Sequence, residues 1–321
     1  MLGGGGFLGI NLCSRLAAAG HRVLAFGHRG LFSEALTSVE FRQGNFADRA
    51  AVADALQGAD VAFHLVHSTV PYSANLNITR DVQENLLPSL AFLDLAREAE
   101  VRRVVFLSSG GTIYGRPFQI PTEEIAPTEP VTAYGISKLA IEKYLALYEL
   151  HRALDYRVLR VANPFGPFQI ALKKQGLIAA ILFRAMCARP IEVWGDGSVV
   201  RDFIFVDDVI DALELAAVHT GDERIFNIGS GVGRSVRDVL TTVEQLLGRK
   251  LDIAWKDSRA VDIPVSVLSV KRAREKLYWS PKTSFEAGVA RTIAWWKDNI
   301  DSLMRTLPAN DLKRKAADCV D

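Results

Sequence analysis

The chain has 321 residues, 49% of them hydrophobic, so it can form a large core and is not a disordered protein. Its 38 basic and 37 acidic residues leave a net charge of +1, which gives no electrostatic reason to expect nucleic acid or an acidic membrane as a partner. The longest apolar run, about 177–183, is far shorter than the ~20 residues that span a bilayer. Cys13, Cys187 and Cys319 are too few and too scattered for a disulfide framework or a zinc site, so we expect no metal and a reducing cytoplasm.

Short apolar runs alternate with longer segments of helical periodicity through the first half of the chain. The sequence predicts strands at 22–26, 40–42, 61–65, 104–107 and 157–161, and helices at 7–19, 49–56, 75–98 and 133–152. Such alternation predicts an α/β fold with a doubly wound parallel sheet and helices on both faces. The strands are continuous apolar runs, as in a sheet that is covered on both sides.

The second half of the chain mixes helices with short strands and predicts a smaller mixed α/β domain. Helices are predicted at 177–188, 206–219, 235–247 and 285–300, and strands at 191–194, 225–228 and 251–255. We expect residues 1–164 to form the first domain, with 203–222 returning to it, and 165–300 to form the second. Residues 301–321 are expected to be a C-terminal tail, mobile from about residue 310.

A glycine-rich turn lies at the start of the chain. Gly3, Gly6 and Gly9 follow a G-x-x-G-x-x-G pattern at the beginning of a predicted helix. In a dinucleotide-binding (Rossmann) domain these glycines allow a tight turn, close approach of the pyrophosphate and close helix–sheet packing. A strand should precede the turn, yet only Met1 and Leu2 do, so we expect a truncated first strand or a misassigned start. The chain also lacks the basic and apolar regions of a secretory signal.

The end of the second strand usually distinguishes NAD from NADP. An acidic residue there binds the ribose hydroxyls of NAD, but this chain has Phe26-Gly27-His28-Arg29. Arg29 is either an ordinary loop residue or a contact for the 2′-phosphate of NADP. NAD is therefore the expected cofactor and NADP remains the alternative.

Tyr134 and Lys138 form a Y-x-x-x-K pair at the start of the helix predicted at 133–152. Residues four apart lie on one face of a helix, so the lysine ammonium can stabilise a tyrosine phenolate. A free tyrosine titrates near ~10, and this charge, together with the helix dipole, favours its use as a base at neutral pH.

These motifs, together with several others in order along the chain, resemble the extended short-chain dehydrogenase/reductases. Within them the chain is most similar to the nucleotide-sugar epimerases, in particular those that invert C4 of UDP-glucose. The resemblance covers the chain from Gly3 to about Trp296 and rests on GGGGFLG (3–9), SSGGTIYG (108–115), YGISK (134–138), NPFG (163–166), WGDGSVVRDFIFVDD (194–208), FNIGSG (226–231) and the stretch 259–264.

The resemblance implies a function for each matching residue. Tyr134, supported by Lys138, would remove the proton from the sugar O4 while hydride leaves C4, and would return it after the 4-keto sugar turns over. The substrate contacts implied are Asn163, the two arginines Arg201 and Arg259 at the UDP diphosphate, Asp262 at the uridine ribose and Ser266 at the sugar pocket. Together with the glycine turn, the resemblance predicts cofactor contacts by Gly3, Gly6, Phe7, Leu8, Gly9, His28, Arg29, Asn45, Phe46, Leu65, Val66, His67, Asn85, Ser108, Tyr134 and Lys138.

Two departures from the family pattern narrow the interpretation. The usual catalytic Ser or Thr is replaced by Gly110, and either Ser109 or Thr112 is expected to supply the hydroxyl. Gly111 and Thr112 stand where dehydratases carry an Asp-Glu pair, which argues against dehydration and against decarboxylation of a UDP-uronic acid.

Ser266 occupies a position that carries a bulky side chain in strict UDP-galactose enzymes, so we expect room for an N-acetyl group in the sugar pocket.

The helix at 133–152 has apolar side chains on more than one face, and family members dimerise through this helix, so a C₂ homodimer is expected. An NADP-dependent 4-ketoreductase acting on a nucleotide sugar is the alternative activity. A non-catalytic dinucleotide sensor is a third interpretation, which the retained Tyr134 and Lys138 disfavour.

Overall fold

The computed structural model describes residues 1–28, 30–170, 176–257 and 263–306. Its α-helices are α1 Phe7–Ala18, α2 Arg49–Leu56, α3 Pro71–Leu76, α4 Ile78–Asp81, α5 Leu87–Glu98, α6 Ala133–Arg152, α7 Leu177–Met186, α8 Val206–Val218, α9 Val236–Leu247, α10 Lys271–Lys276 and α11 Phe285–Thr306. A 3₁₀ turn covers Ser33–Ala35, and a π-helical segment covers Val82–Leu86. The strands are β1 Leu24–Gly27, β2 Glu40–Gln43, β3 Val61–His64, β4 Arg103–Ser109, β5 Asp155–Val161, β6 Asn163–Phe165, β7 Ile191–Trp194, β8 Val200–Phe205, β9 Ile225–Ile228, β10 Gly233–Ser235, β11 Ile253–Lys256 and β12 Val265–Ser266.

The main sheet is parallel and has the predicted doubly wound arrangement. β1 pairs with β2, and β3, β4, β5 and β9 follow one another in that order. Leu2 joins the two groups, because it forms parallel bridges with both Phe26 of β1 and His64 of β3. The Leu2 amide donates to Phe63 O at 2.9 Å, and the Phe26 amide donates to Met1 O at 2.8 Å. A single residue thus takes the place of the strand that feeds the glycine turn.

Alternation along β4 divides the core between the two faces of this sheet. Val105 packs in one cluster with α1 and α8, whereas Val104 and Phe106 pack in another with α2, α5 and α6. Successive side chains of a strand point to opposite faces, so both faces are covered by helices. This explains why the strands are continuous apolar runs rather than alternating ones.

The second region surrounds β8. β6 and β12 pair with β8 in parallel and β10 pairs with it antiparallel, while β7 and β11 form a separate parallel pair. Helix α11 packs against α7, α9 and β8. The chain also returns to the main sheet, because α8 packs on β4 and β5 and β9 pairs with β5.

The structure corrects two helix predictions. The single helix expected at 75–98 is interrupted at Asn77, which has φ −149° and ψ 85° and caps α4 by accepting from the Arg80 amide. It is interrupted again by the π segment before Pro88, a residue that lacks an N–H and whose ring opposes the carbonyl one turn earlier. The last predicted helix does not end at residue 300. It runs to Thr306, because Leu303 is anchored in the core.

Candidate active site

The glycine turn is packed so tightly that side chains are excluded. A Cβ on Gly9 would lie 2.2 Å from Gly3 O, and a Cβ on Gly3 would lie 3.2 Å from the backbone at Leu65 and Val66. Gly3 also has a φ of +83°, which favours glycine. The N-terminus of α1 therefore opens onto bare backbone next to the end of β3. This is the geometry that brings a pyrophosphate against helix amides.

The other predicted cofactor residues of this half lie around the turn. Phe7 and Leu8 begin α1, and exposed His28 follows β1, with its carbonyl close to Gly5. The Asn45 Oδ1 accepts from the Ala47 amide. Phe46 is buried and packs edge-on against His64 at a centroid distance of 5.0 Å. Arg29 lies outside the described residues.

Tyr134 and Lys138 lie on the first turns of α6, which begins at a Thr132 cap whose Oγ1 accepts from the Gly135 amide at 3.1 Å. The Lys138 Nζ donates to Leu107 O at 2.8 Å and lies 5.8 Å from the centre of the Tyr134 ring. Burial lowers the pKa of Lys138 to about 7, against the opposing effect of the Glu142 and Asp81 charges. Burial and the charge of Asp81 both raise the pKa of Tyr134 above its usual value.

Gly110 has no room for the side chain that the family usually carries there. A Cβ at this position would lie 2.4 Å from Leu268 Cδ1 and 3.1 Å from Arg160 O. Leu268 thus fills the space of the missing hydroxyl group. The Thr112 Oγ1 and the Ser108 Oγ are both buried without a hydrogen-bond partner, whereas Ser109 is half-buried at the end of β4. Of the two hydroxyls considered for the substrate, that of Thr112 is the buried, unpaired one.

A buried polar cluster beside Tyr134 was missed by the sequence analysis. Asp81 is completely buried and accepts hydrogen bonds from Thr69, from Ser137 at 2.5 Å and from Asn85 at 3.1 Å. The His67 Nε2 lies 3.5 Å from the same carboxylate. Because Asp81 precedes the predicted Asn85 by four residues, a shared helix face was the available signal.

Three of the predicted substrate residues are brought together around β8. Arg201 lies on β8, and its guanidinium donates to Val200 O at 2.9 Å and to Ile263 O at 2.7 Å. Ser266 of β12 is paired in register with Arg201. Asn163 of β6 donates from its Nδ2 to Asp202 O at 2.9 Å. Arg259 and Asp262 lie outside the described residues.

A cavity of about 270 Å³ opens under the loop that follows β4. Its lining includes Tyr114, Phe118 and Glu129 but none of the predicted cofactor or substrate residues in the described part of the chain. The half-buried Tyr134 and the buried Lys138 therefore define the candidate site, and this cavity does not.

A doubly wound sheet, a glycine turn at its first helix and a Tyr–Lys pair on a later helix define a short-chain dehydrogenase/reductase. The family model for the NAD dependent epimerase/dehydratase family matches residues 1–229. The chain therefore belongs to this family, which confirms the resemblance predicted from the motifs and confirms NAD as the cofactor.

Individual relatives are similar over nearly the whole chain. A UDP-glucose 4-epimerase of Mycolicibacterium smegmatis is 33% identical over 311 residues, covering 92% of this chain and 97% of the relative. The crystal structure of a UDP-glucose 4-epimerase of Thermotoga maritima with UDP-glucose has a TM-score of 0.88 at 30% identity, covering 93% and 98% of the two chains. A Thermus thermophilus UDP-glucose 4-epimerase in complex with NAD has a TM-score of 0.86 at 29% identity, covering 92% and 97%.

The glycine turn and the residues at and after the end of β4 fit a bound NAD. The glycine turn holds the N-terminus of α1 close against the end of β3, because no Cβ at Gly9 or Gly3 separates the backbones. The unpaired Ser108 and Thr112 hydroxyls are buried polar groups without a protein partner, as expected beside a bound polar ligand.

Among the helices in the described part of the chain, none combines the length and the apolar character of a membrane-spanning segment.

Proposed function

We propose that this chain inverts the configuration at C4 of a UDP-hexose, interconverting UDP-glucose and UDP-galactose, with NAD bound over the glycine turn. The observation that carries the proposal is the buried Lys138 ammonium, which is held by Leu107 O and lies beside the ring of Tyr134. Relatives named as UDP-glucose 4-epimerases over nearly the full chain support the same reaction.

Bound NAD supplies the group that accepts a hydride from the sugar and returns it. The residues proposed to hold it in the described part of the chain lie at the glycine turn and at or after the ends of strands β1 to β4: Gly3, Gly6, Phe7, Leu8, Gly9, His28, Asn45, Phe46, Leu65, Val66, His67, Asn85 and Ser108. Arg29, outside the described residues, is proposed with them. For Asn85 this contact is indirect, since its amide is already bonded to Thr69 and Asp81 and its Oδ1 accepts from the Ser68 amide.

Tyr134 is the acid–base of the proposed reaction. Its phenolate takes the proton of the O4 hydroxyl, and its phenol returns a proton to O4 after the sugar has turned its other face. Lys138 stabilises the phenolate through its positive charge, which is retained below its pKa of about 7 in the protein without substrate. Because Lys138 is buried and Tyr134 is half-buried, this attraction is stronger than it would be in solution.

Thr112 is the proposed hydroxyl donor to O4. Its Oγ1 is buried and unpaired, and the position that would otherwise supply the hydroxyl is closed by Leu268. A donor aimed at developing charge contributes most when it is already desolvated and in place. The half-buried Ser109 is the alternative.

The β8 region is proposed to bind the nucleotide sugar. Asn163 would contact the substrate, while Arg201, Arg259 and Asp262 would hold the UDP portion, the arginines through the fork geometry that suits a diphosphate. Ser266 lies next to Arg201 in the paired strands. Its small side chain leaves room in the sugar pocket, so UDP-N-acetylhexosamines are proposed as further substrates. Turnover of UDP-glucose without turnover of UDP-N-acetylglucosamine would refute this extension.

The proposed reaction is tested with a panel of UDP- and dTDP-sugars, with and without NADPH, followed by NMR. Inversion at C4 of UDP-glucose with no added reduced cofactor is the expected result, because an epimerase consumes no net cofactor. Turnover that occurs only with a 4-keto sugar and consumes NADPH stoichiometrically would establish the 4-ketoreductase instead.

A homodimer through α6 and the helices before it is also proposed. At about 3.6 residues per turn, the exposed Ile136, Tyr144, Leu147 and Leu150 form one stripe on α6, and Leu87 is exposed on α5. An apolar stripe of this kind suits an isologous interface. Sedimentation at micromolar concentration should give the mass of a dimer, and a monomer would refute this assembly.

The domain division proposed from the sequence assigns residues 1–164 and 203–222 to NAD binding and residues 165–300 to the nucleotide sugar. Residues 301–306 do not belong to the tail expected at 301–321, because α11 continues to Thr306 and buries Leu303. The packing of α8 on β4 and β5 supports the return of the chain to the first domain.

Cys13 and Cys187 are free thiols, which is compatible with the reducing cytoplasm proposed as the location.

A further inference from the structure

Asp81 is a buried carboxylate that only uncharged groups surround. Its hydrogen-bond donors are the hydroxyls of Thr69 and Ser137 and the amide of Asn85. In the part of the chain that the structure describes, His67 is the only basic group at ion-pair distance. Burial alone would raise the pKa of this carboxyl, but the nearby His67 imidazole and the hydrogen bonds from Ser137 and Thr69 lower it to about 2. The Asp81 carboxylate is therefore ionised at neutral pH.

The location of Asp81 is also unusual. It ends α4 immediately before the π-helical segment Val82–Leu86, and single π turns of this kind occur frequently at functional sites. Its three neutral donors come from the segment after β3, from the π segment and from α6. The carboxylate thus ties together the three chain segments that surround Tyr134.

His67 connects this carboxylate to Tyr134. Its ring packs edge-on against the Tyr134 ring, with centroids 4.4 Å apart and an interplanar angle of 66°. Burial and the Lys138 charge lower the pKa of His67 to about 4, so the imidazole is neutral. A neutral imidazole beside a carboxylate carries its proton on the nitrogen that faces the carboxylate. The Asp81 carboxylate, 3.5 Å from the His67 Nε2, therefore favours the tautomer that carries its proton on that nitrogen.

We propose that Asp81 and His67 are positioning residues for Tyr134: the carboxylate orients the imidazole, and the imidazole edge holds the phenol ring in the orientation that presents its hydroxyl to the sugar. This rests on the proposed acid–base function of Tyr134. The same fixed charge also makes the Tyr134 phenolate a stronger base, and it favours the charged form of Lys138.

The pair is tested first by turnover of the NAD-loaded enzyme with UDP-glucose. His67→Ala removes both the edge contact and the partner of Asp81, and it should lower kcat by about 10²-fold with little change in KM, as for a misplaced catalytic group. His67→Phe keeps an aromatic edge against Tyr134 and should recover most of the lost kcat. Equal losses of kcat in the two variants would overturn the positioning by the ring.

A second readout follows the charge and does not depend on activity. The ionisation of Tyr134 is measured from the near-ultraviolet absorbance of tyrosinate, as the difference between the wild type and Tyr134→Phe. The charged or titratable groups around this phenol are Asp81, His67 and Lys138. Asp81→Asn removes the anion and should shift the titration of Tyr134 to lower pH, whereas a purely structural carboxylate would leave it unshifted.

Glu84→Gln is the matched control. It makes the same chemical change three residues away, on a half-buried side chain that pairs with Arg80 and Ser68, and it should leave kcat and the titration at wild-type values. Wild-type kcat and titration in Asp81→Asn would overturn the proposal. If Tyr134→Phe itself retained turnover, the proposed function of Tyr134 would fail instead, and the two failures are thereby distinguished.

Discussion

Two carboxylates are buried against helix α6, and they are compensated in opposite ways. Glu142, one turn after Lys138, is bound by the Arg160 guanidinium through contacts of 2.7, 3.1 and 3.2 Å. Asp81, on the other side of the Tyr134–Lys138 pair, is held by hydroxyls, an amide and a neutral imidazole. Both charges raise the pKa of Lys138, but of the two only Asp81 also raises the pKa of Tyr134.

The Glu142–Arg160 pair is part of the scaffold, whereas Asp81 belongs to the functional site. Arg160 also donates to the Tyr114 hydroxyl at 2.9 Å, and that hydroxyl donates to Asn227 at 2.7 Å. The Glu142–Arg160 pair thus connects α6 to β5, to the loop after β4 and to β9. A buried ion pair of this kind is costly to break. A fixed anion with neutral partners retains its field, as a preorganised site requires.

The largest effect is expected from removing the tyrosine on which the Asp81 charge acts. Tyr134→Phe should lower kcat by about 10²–10⁴-fold, the usual contribution of an acid–base residue, because phenylalanine can neither accept nor return the O4 proton. Dinucleotide binding should persist, since the glycine turn is untouched. Steady-state kinetics and NAD titration measure the two effects, and undiminished turnover would remove Tyr134 from the mechanism.

Arg160→Met tests whether the Glu142 side is structural. It leaves an uncompensated buried carboxylate and should reduce the free energy of unfolding by about 3–5 kcal/mol, as measured by urea denaturation. The double variant Arg160→Met/Glu142→Leu should be less destabilised, because no buried charge is left. A single variant as stable as the wild type would show that the pair is not the scaffold described above.

Thr112→Ala removes the proposed donor on the apolar side of the site, and it should lower kcat by about 10²–10³-fold. The reason is that the developing charge at O4 loses a buried hydroxyl that no water replaces. Ser109→Ala is the paired control and should remain close to the wild type. The reverse result would assign the hydroxyl to Ser109.

The smallest effect expected is a pH slope of stability on the Asp81 side. His67 has a pKa of about 4 in the folded protein and an ordinary value of 6.5, so between these values the unfolded chain binds more protons. Stability should therefore decrease as pH falls from about 6.5 to about 4, by up to about 1.4 kcal/mol per unit of pH. His67→Gln should remove this part of the slope, whereas His151→Gln, at an exposed position, should not.

The sequence was sufficient for most helices and for the strands of the main sheet, but it did not predict β6, β8, β10 or β12. α6 and α2 have the predicted bounds, because their apolar periodicity and caps agree with the tertiary packing. It was not sufficient for the segment 75–98, where the helical pattern continues through Asn77 and Pro88 although the backbone does not. Local capping and a proline override a periodicity that remains intact.

The candidate site was predictable where a short motif of fixed spacing carries the chemistry. Tyr134 and Lys138 could be identified from their spacing, and the structure brings them together. Asp81 was not, since a single acidic residue in a predicted helix is usually solvated, and its burial depends on contacts across 56 residues to Ser137. The closure of Gly110 by Leu268 is likewise a long-range packing fact without a local pattern.

That closure makes positions 110 and 268 epistatic. Reintroducing serine at 110 alone places its Cβ 2.4 Å from Leu268 Cδ1, and Leu268 is itself buried, so the gain of a hydroxyl is offset by overpacking. Shortening Leu268 alone leaves a cavity. An evolutionary or engineered route back to a serine at 110 therefore passes through a less stable intermediate, and the two substitutions have to be introduced together.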